Sequence, residues 1–243
     1  MKFAIIAAGE GSRLASEGVK LPKPMVRVGG EPLIDRLLRI FLRQKATGIY
    51  VICNDLSSMV QDHLADIQKN GLDGQEVPLH FVVKSTPSSM HSFYELRHFL
   101  VDDVFCLTTV DTIFDEAEFG RYVSDLEAIC QSGMADGLMG LTDYIDDEKP
   151  LYVDVDDKNV IRGYYDDTHH CHYISGGIYG LTPRAIDTLE RCVQRGESRM
   201  RNFQRALVAD GQKLMAYKFS KVLDIDHASD IAKAERFLKQ DVL

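Results

Sequence analysis

Residues 7 to 24, "AAGEGSRLASEGVKLPKP", gather Gly9, Gly11, Ser12, Arg13, Lys20 and Lys23 directly after the apolar run "KFAIIA". These residue types suit the binding of an anion. Glycine lets the backbone wrap closely around a ligand, and consecutive N–H groups in such a turn form a nest for anionic oxygens. Arg13 offers a planar fork for phosphate oxygens and Lys23 a compact positive charge, so the loop suits a polyphosphate. A P-loop is excluded, because it needs G-K-[ST] after four intervening residues and Gly11 is followed by Ser12 and Arg13. A dinucleotide fingerprint needs a third small residue where this chain has Leu14. For the G-x-G element alone, a surface turn with merely solvated basic residues is the competing reading.

A second candidate lies in "CLTTVDTIF", where Asp111 ends an apolar strand on the same sheet edge as the glycine loop. An unpaired carboxylate is costly to bury there, and a divalent cation with hard oxygen ligands would stabilise it. The competing reading is a turn former, although Asp115 is better placed to cap the following helix. "HHCH" at 169 to 172 reads as ordinary loop and strand residues, since strand neighbours face opposite sides and no partner motif with zinc spacing follows. "DYIDDEK" at 143 to 149 reads as a solvated acidic loop. No Ser-His-Asp or Cys-His arrangement calls for explanation.

Elements must bring these groups together, and the chain alternates strands with helices, the pattern of a largely parallel sheet covered on both faces. Strands are expected at 2 to 7, 48 to 53, 78 to 84 and 104 to 110. Leu33, Ile34, Leu37, Leu38 and Phe41 share one face of a helix, and further helices are expected near 57 to 69, 89 to 100 and 115 to 131. Four successive strands then follow, "DGLMGLT", "LYVDVD", "NVIRGYY" and "YISGGIYGL", with "DDKN" as a hairpin turn. Helices near 183 to 195 and 198 to 210, strands at "KLMAYKF" and "KVLDI", and a helix from about 228 to 239 complete the chain. In such sheets ligands sit beyond the carboxyl ends of the strands, where the glycine loop begins.

At 243 residues and 45% hydrophobic composition, the chain can bury the core of one α/β domain. A formal charge of −9 excludes a broadly basic nucleic-acid surface, so no nucleic-acid partner is expected. No apolar run reaches the roughly 18 residues of a membrane span, so neither a membrane partner nor a spanning segment is expected and a cytoplasmic protein is. The five cysteines are scattered without a C-x-x-C pair, which indicates neither a disulfide framework nor a zinc ribbon.

"AAGEGSRL" at 7 to 14 and "PKPMVRVGGEPLI" at 22 to 34 together resemble the signature of the sugar-1-phosphate nucleotidyltransferases, or nucleoside-diphosphate-sugar pyrophosphorylases. The resemblance implies a glycosyltransferase-A-like (Rossmann-like) three-layer α/β/α fold with a mixed, mostly parallel central sheet. It implies a single domain with a nucleotide-binding half at about 1–112 and a sugar- or acceptor-binding half at about 113–243. Gly9, Gly11 and Ser12 would surround the nucleotide phosphates, and the backbone at Ala7 and Ala8 would border the base. Arg13 would meet the phosphates that leave as pyrophosphate and Lys23 would lie beside the reacting phosphates, which makes both catalytic candidates. Asp111 matches the family's magnesium ligand, and Asp226 in "VLDIDHASDIAKAERFL" matches the aspartate that completes the site. An N-cap for the last helix is a compatible reading of Asp226. Asp224 is read as turned to the other face of its strand.

The implied reaction uses Mg2+, a nucleoside triphosphate and a sugar 1-phosphate, and releases pyrophosphate with a nucleotide sugar. Departures concern the substrates. The family's E-K-P lysine, which faces the sugar phosphate after the hairpin, is replaced by the region of Tyr164, Tyr165, Asp166 and Asp167. The base-reading segment appears as "KSTPSSMHSFYEL", in which Ser85, Ser89 and His91 are candidates. Gly176 and Gly177 either allow a sugar close approach or form a β-bulge. A cytidylyltransferase acting on phosphocholine or another non-sugar phosphate is the alternative enzyme, and a non-catalytic nucleotide sensor the alternative outside catalysis.

Overall fold

A computed structural model describes residues 1–146 and 148–240; Asp147 of the acidic loop and residues 241–243 lie outside it. The first half runs β1 (Lys2–Ala7), α1 (Ser12–Ser16), β2 (Arg27–Val28), β3 (Glu31–Pro32), α2 (Leu33–Arg43), β4 (Gly48–Cys53), α3 (Ser58–Asn70), β5 (Leu79–Val83), α4 (Ser89–Leu96), β6 (Phe105–Thr109) and β7 (Thr112–Phe114). The second runs α5 (Glu116–Gln131), β8 (Gly137–Thr142), β9 (Tyr152–Val155), β10 (Ile161–Tyr165), β11 (Tyr173–Leu181), α6 (Arg184–Gln194), α7 (Met200–Ala209), β12 (Leu214–Phe219), β13 (Val222–Asp224) and α8 (Ala228–Gln240). Every strand and helix expected from periodicity forms, with ends displaced by a few residues. The short α1, β2, β3 and β7 carry too few residues to show a period.

The sheet is built on the parallel neighbours β5, β4, β1 and β6, and β12 lies parallel to β8. The long β11 reverses direction between β6 and β8. This gives the mixed, mostly parallel sheet that the resemblance implied. Alternation along β1 shows why helices cover both faces. Phe3, Ile5 and Ala7 pack with residues of α2, α3, α5 and α8, while Ala4 and Ile6 face a second cluster containing α4, α6 and α7. On the first face an aromatic group fixes the strands that carry the site. Phe3 stacks on Phe41 at 4.3 Å, Phe119 stacks on Phe114 at 4.5 Å, and Phe41 approaches Phe119 at 5.8 Å.

The β9–β10 hairpin turns at "DDKN", where Asp156 Oδ1 accepts from the backbone N–H groups of Lys158 and Val160, both at 2.9 Å. The "HHCH" residues sit in the loop between β10 and β11 rather than on a strand, and His169 and His170 take positive φ. Asp115 caps α5 as expected, accepting from Glu118 N at 2.5 Å.

Between α3 and α2, His63 Nε2 lies 2.5 Å from Asp35 Oδ1. That hydrogen bond raises the His63 pKa against the opposing effect of burial. A raised pKa contributes stability that is complete below the unfolded value of about 6.5 and disappears as pH rises through the folded value. His63→Gln should therefore cost about 0.5–1 kcal/mol at pH 6 and progressively less above neutrality. Urea titrations at the two pH values check this, and an equal loss at both would assign the effect to packing.

Candidate active site

The glycine loop leaves β1 at its carboxyl end and reaches Gly11 in the left-handed region, φ 64°. A Cβ there would stand 3.1 Å from the Cβ of Lys23, so conformation and space both favour glycine. α1 starts at Ser12, and its buried Leu14 pins the turn to the core. The chain returns through Pro22 into a single 3-10 turn, Lys23–Met25, anchored by buried Pro24. That turn carries Lys23 back to the loop.

Asp111 follows β6, and the chain passes directly into β7. β13 pairs antiparallel with β7, and Ile225 N donates to Asp111 O at 3.1 Å. This three-residue ladder sets Asp226 beside Asp111. Two contacts hold it. Arg36 Nη2 donates to Phe114 O at 3.0 Å. The carboxylate of buried Glu118 accepts from Ser220 N and, at 2.8 Å, from Ser220 Oγ, fixing the turn that enters β13.

Four charged groups meet as a result. Lys23 Nζ contacts the Asp111 carboxylate directly and lies 2.8 Å from Asp226 Oδ1, while Arg13 Nη1 lies 3.0 Å from Asp226 Oδ2. Lys23 and Asp111 are largely buried, and Arg13 and Asp226 are open to solvent. Burial opposes the Lys23 ammonium, but the two carboxylates outweigh it and hold its pKa above the ordinary lysine range. Burial likewise opposes the Asp226 carboxylate, and Lys23 and Arg13 outweigh it, lowering the pKa. Both groups are charged at neutral pH.

Asp226 does not cap α8, because both its oxygens face cations. The helix start is held instead by Asp230 Oδ2, which accepts from Asp226 N and His227 N, and by Glu17 Oε2, which accepts from Ala228 N at 2.6 Å. The reading of Asp224 also changes: strand positions two apart share a face, so with Ile225 buried between them both aspartates border the same cavity.

A cavity of about 230 Å³ is bounded by Gly9, Gly11, Ser12, Arg13, Lys23 and Asp226. Arg13 and Asp226 also border a larger one of about 410 Å³, lined further by Tyr144, Ser175, Gly176 and Asp224. The pairing of β11 with β8 slips between Ser175 and Ile178, so Gly176 and Gly177 form a bulge. Gly176 borders the larger cavity, and Gly177, φ 71°, faces Thr109 and Thr112. Ala7 borders a third hollow towards α3, and Asn54 Nδ2 donates to Ala8 O at 3.3 Å. Ser85, Ser89 and His91 lie between β5 and the first turn of α4, outside the linings of these cavities. Ser85 Oγ contacts Asp55, and His91 Nδ1 lies 2.9 Å from Ser88 Oγ.

The sequence reading missed the Glu118–Ser220 brace and Lys233, which borders the larger cavity. A hydrophilic residue, Glu118, at a core-facing position of α5 was the available signal for the brace.

Comparison with known proteins places this geometry in a lineage. The chain is 28% identical over 166 residues to CMP-5'-(3-aminopropyl)phosphonate synthase of Streptomyces rubellomurinus, covering 61% of this chain and 25% of that protein. It is 29% identical over 66 residues to glucose-1-phosphate cytidylyltransferase of Salmonella typhimurium, covering 27% of this chain and 26% of that one. The chain thus spans about a quarter of the length of each of these curated relatives. The solved structure of CTP:phosphocholine cytidylyltransferase from Streptococcus pneumoniae shares the fold, with a TM-score of 0.74 at 16% identity over 98% of both chains. The profile of the family described as nucleotidyl transferase matches residues 2–241, almost the whole length. With the loop, the carboxylate pair and the mixed sheet in the arrangement above, this chain belongs to the nucleotidyl transferase family.

Proposed function

We propose that the protein transfers a nucleoside monophosphate from a nucleoside triphosphate to a sugar 1-phosphate, releasing pyrophosphate and forming a nucleotide sugar. The observation that carries this reading is a pair of adjoining cavities that share Arg13 and Asp226, one against the glycine loop and one against the β11 bulge. The first suits the triphosphate and the second the acceptor. A phosphate oxygen of the acceptor forms the new bond to the α-phosphorus as the bond to the pyrophosphate oxygen breaks. The acceptor phosphate is already ionised, so no protein nucleophile or base is required. Repulsion between the two anions is the main barrier, and Arg13, Lys23 and the loop amides offset it.

Asp111 and Asp226 fit a divalent cation, because their carboxylates already share one positive charge, the ammonium of Lys23. Mg2+ held there would neutralise charge on the phosphates and orient them for in-line displacement. Lys23 and Arg13, released from the carboxylates, would turn to the triphosphate.

A second reading, cytidylyl transfer to a non-sugar phosphate or phosphonate, draws support from the phosphonate synthase and the phosphocholine enzyme among the similar proteins. One experiment tests both. Pyrophosphate release is measured with UTP, CTP, GTP, ATP and dTTP against sugar 1-phosphates, phosphocholine and aminoalkylphosphonates, with Mg2+ and with EDTA. Release confined to one nucleotide and acceptor, and abolished by EDTA, is expected. Silence across the panel with intact nucleotide binding would replace the enzyme by a nucleotide sensor.

A further inference from the structure

The acceptor in the reading above carries a phosphate or phosphonate, so an anion must enter the larger cavity. The wall opposes it. Asp146, Glu148, Asp224 and Asp230 line that cavity in addition to Asp226. After the β9–β10 hairpin, Asp166 contacts Arg201 and lies 2.8 Å from Arg205. Those two arginines are engaged on a carboxylate, and the neighbouring Tyr164 side chain is buried in the core.

Among the lining residues, the basic groups other than Arg13 are His227 and Lys233. The His227 ring is flanked by carboxylates, with Nδ1 2.6 Å from Glu17 Oε1 and Nε2 3.7 Å from Glu148 Oε1. Lys233 stands on α8, and helical side chains lean towards the N-terminus of their helix, which here is the end that follows Asp226. Its ammonium is 2.7 Å from Asp146 Oδ2 and 3.1 Å from Asp230 Oδ1, at a partly exposed position. Partly exposed ion pairs hold weakly, so a phosphate dianion can draw the ammonium away from Asp146.

We infer that Lys233 receives the phosphate of the acceptor and so determines acceptor affinity, an inference that rests on the transferase reading. With Arg13 and Lys23 on the triphosphate and Lys233 on the acceptor, each anion has its own cation and the approach is steered from the α8 side.

The test compares wild type, K233Q, K233R and D146N with the acceptor that supports turnover in the panel above. Nucleotide affinity is measured by calorimetry, and binding of phosphocholine, glucose 1-phosphate and inorganic phosphate is followed by calorimetry on enzyme saturated with Mg2+ and a non-hydrolysable triphosphate. Loss of a charge-assisted contact should raise the acceptor KM and Kd about ten-fold or more in K233Q, with nucleotide Kd and kcat changed less than about three-fold. K233R should recover part of the affinity. D146N, which removes one of the two carboxylates on the ammonium and leaves Asp230, should tighten the acceptor, whereas a purely structural ion pair predicts the same weakening for D146N as for K233Q. An unchanged acceptor KM in K233Q, or matched losses in K233Q and D146N, overturns the inference while leaving the transferase intact. A wild type that binds nucleotide but neither binds nor uses any acceptor overturns the transferase reading and the inference with it.

Discussion

In the proposed transfer, Lys23→Gln should lower kcat by about two to three powers of ten, the contribution of a fixed cation that meets developing phosphate charge where water is excluded. The site geometry adds a second, independent signature. Lys23 Nζ is the charge shared by Asp111 and Asp226, and removing it leaves two neighbouring carboxylates, one of them only 14% exposed. Their repulsion should make the variant less stable than wild type without divalent cations and more strongly stabilised by them. Wild type, whose carboxylates are already satisfied internally, should respond less. Pyrophosphate release and thermal scans with and without Mg2+ measure both effects. A kcat within three-fold of wild type would remove Lys23 from the reaction, and equal Mg2+ stabilisation of the two proteins would remove the carboxylate pair from the metal site.

The largest effect on stability is expected from Phe119→Ala. Phe119 is fully buried on α5 and has ring neighbours in Phe114 at 4.5 Å, Tyr122 at 5.6 Å, Phe41 at 5.8 Å and Phe3 at 6.4 Å. Truncating a surrounded aromatic removes its transfer energy and leaves a cavity that rigid neighbours fill poorly, a cost of about 3–5 kcal/mol. For a chain of this size the midpoint should fall by roughly ten degrees. Phe114 belongs to β7, so the loss should also loosen the strand that precedes α5 and follows Asp111. Calorimetry checks the first effect and turnover below the transition the second. A cost under about 1 kcal/mol would mean that Phe41 and Tyr122 close over the void.

Most of the large sheet was legible because its strands and helices are long enough to express a period. KFAIIA, GIYVIC and YISGGIYGL each appear where read. The convergence of the glycine loop with Asp111 was legible through residue type and place on the sheet edge, and that of Asp226 through resemblance. What escaped notice depends on pairing between distant short segments. β13 was read within "KVLDI", but β7 has three residues and no periodicity of its own, so the ladder between the two, which creates the carboxylate pair, gave no signal. The internal neutralisation of Asp226 by Arg13 and Lys23 was also invisible, since it depends on where side chains converge in the absence of substrate. Lys233 gave no signal because a lone lysine on an amphipathic helix reads as surface.

The ladder between β7 and β13 has a bearing on how the candidate site is assembled and lost. Arg13 and Asp226 are 213 residues apart in sequence, so the loop emerges early from the ribosome and waits for a partner made far later. Until β13 docks, the nascent chain holds a basic loop with half its counter-charge. The reverse holds on warming or in mild denaturant. Separating three residue pairs at this small sheet would part Asp111 from Asp226 while the large sheet stays intact, so the proposed transfer should be lost before the molecule melts and should return on cooling.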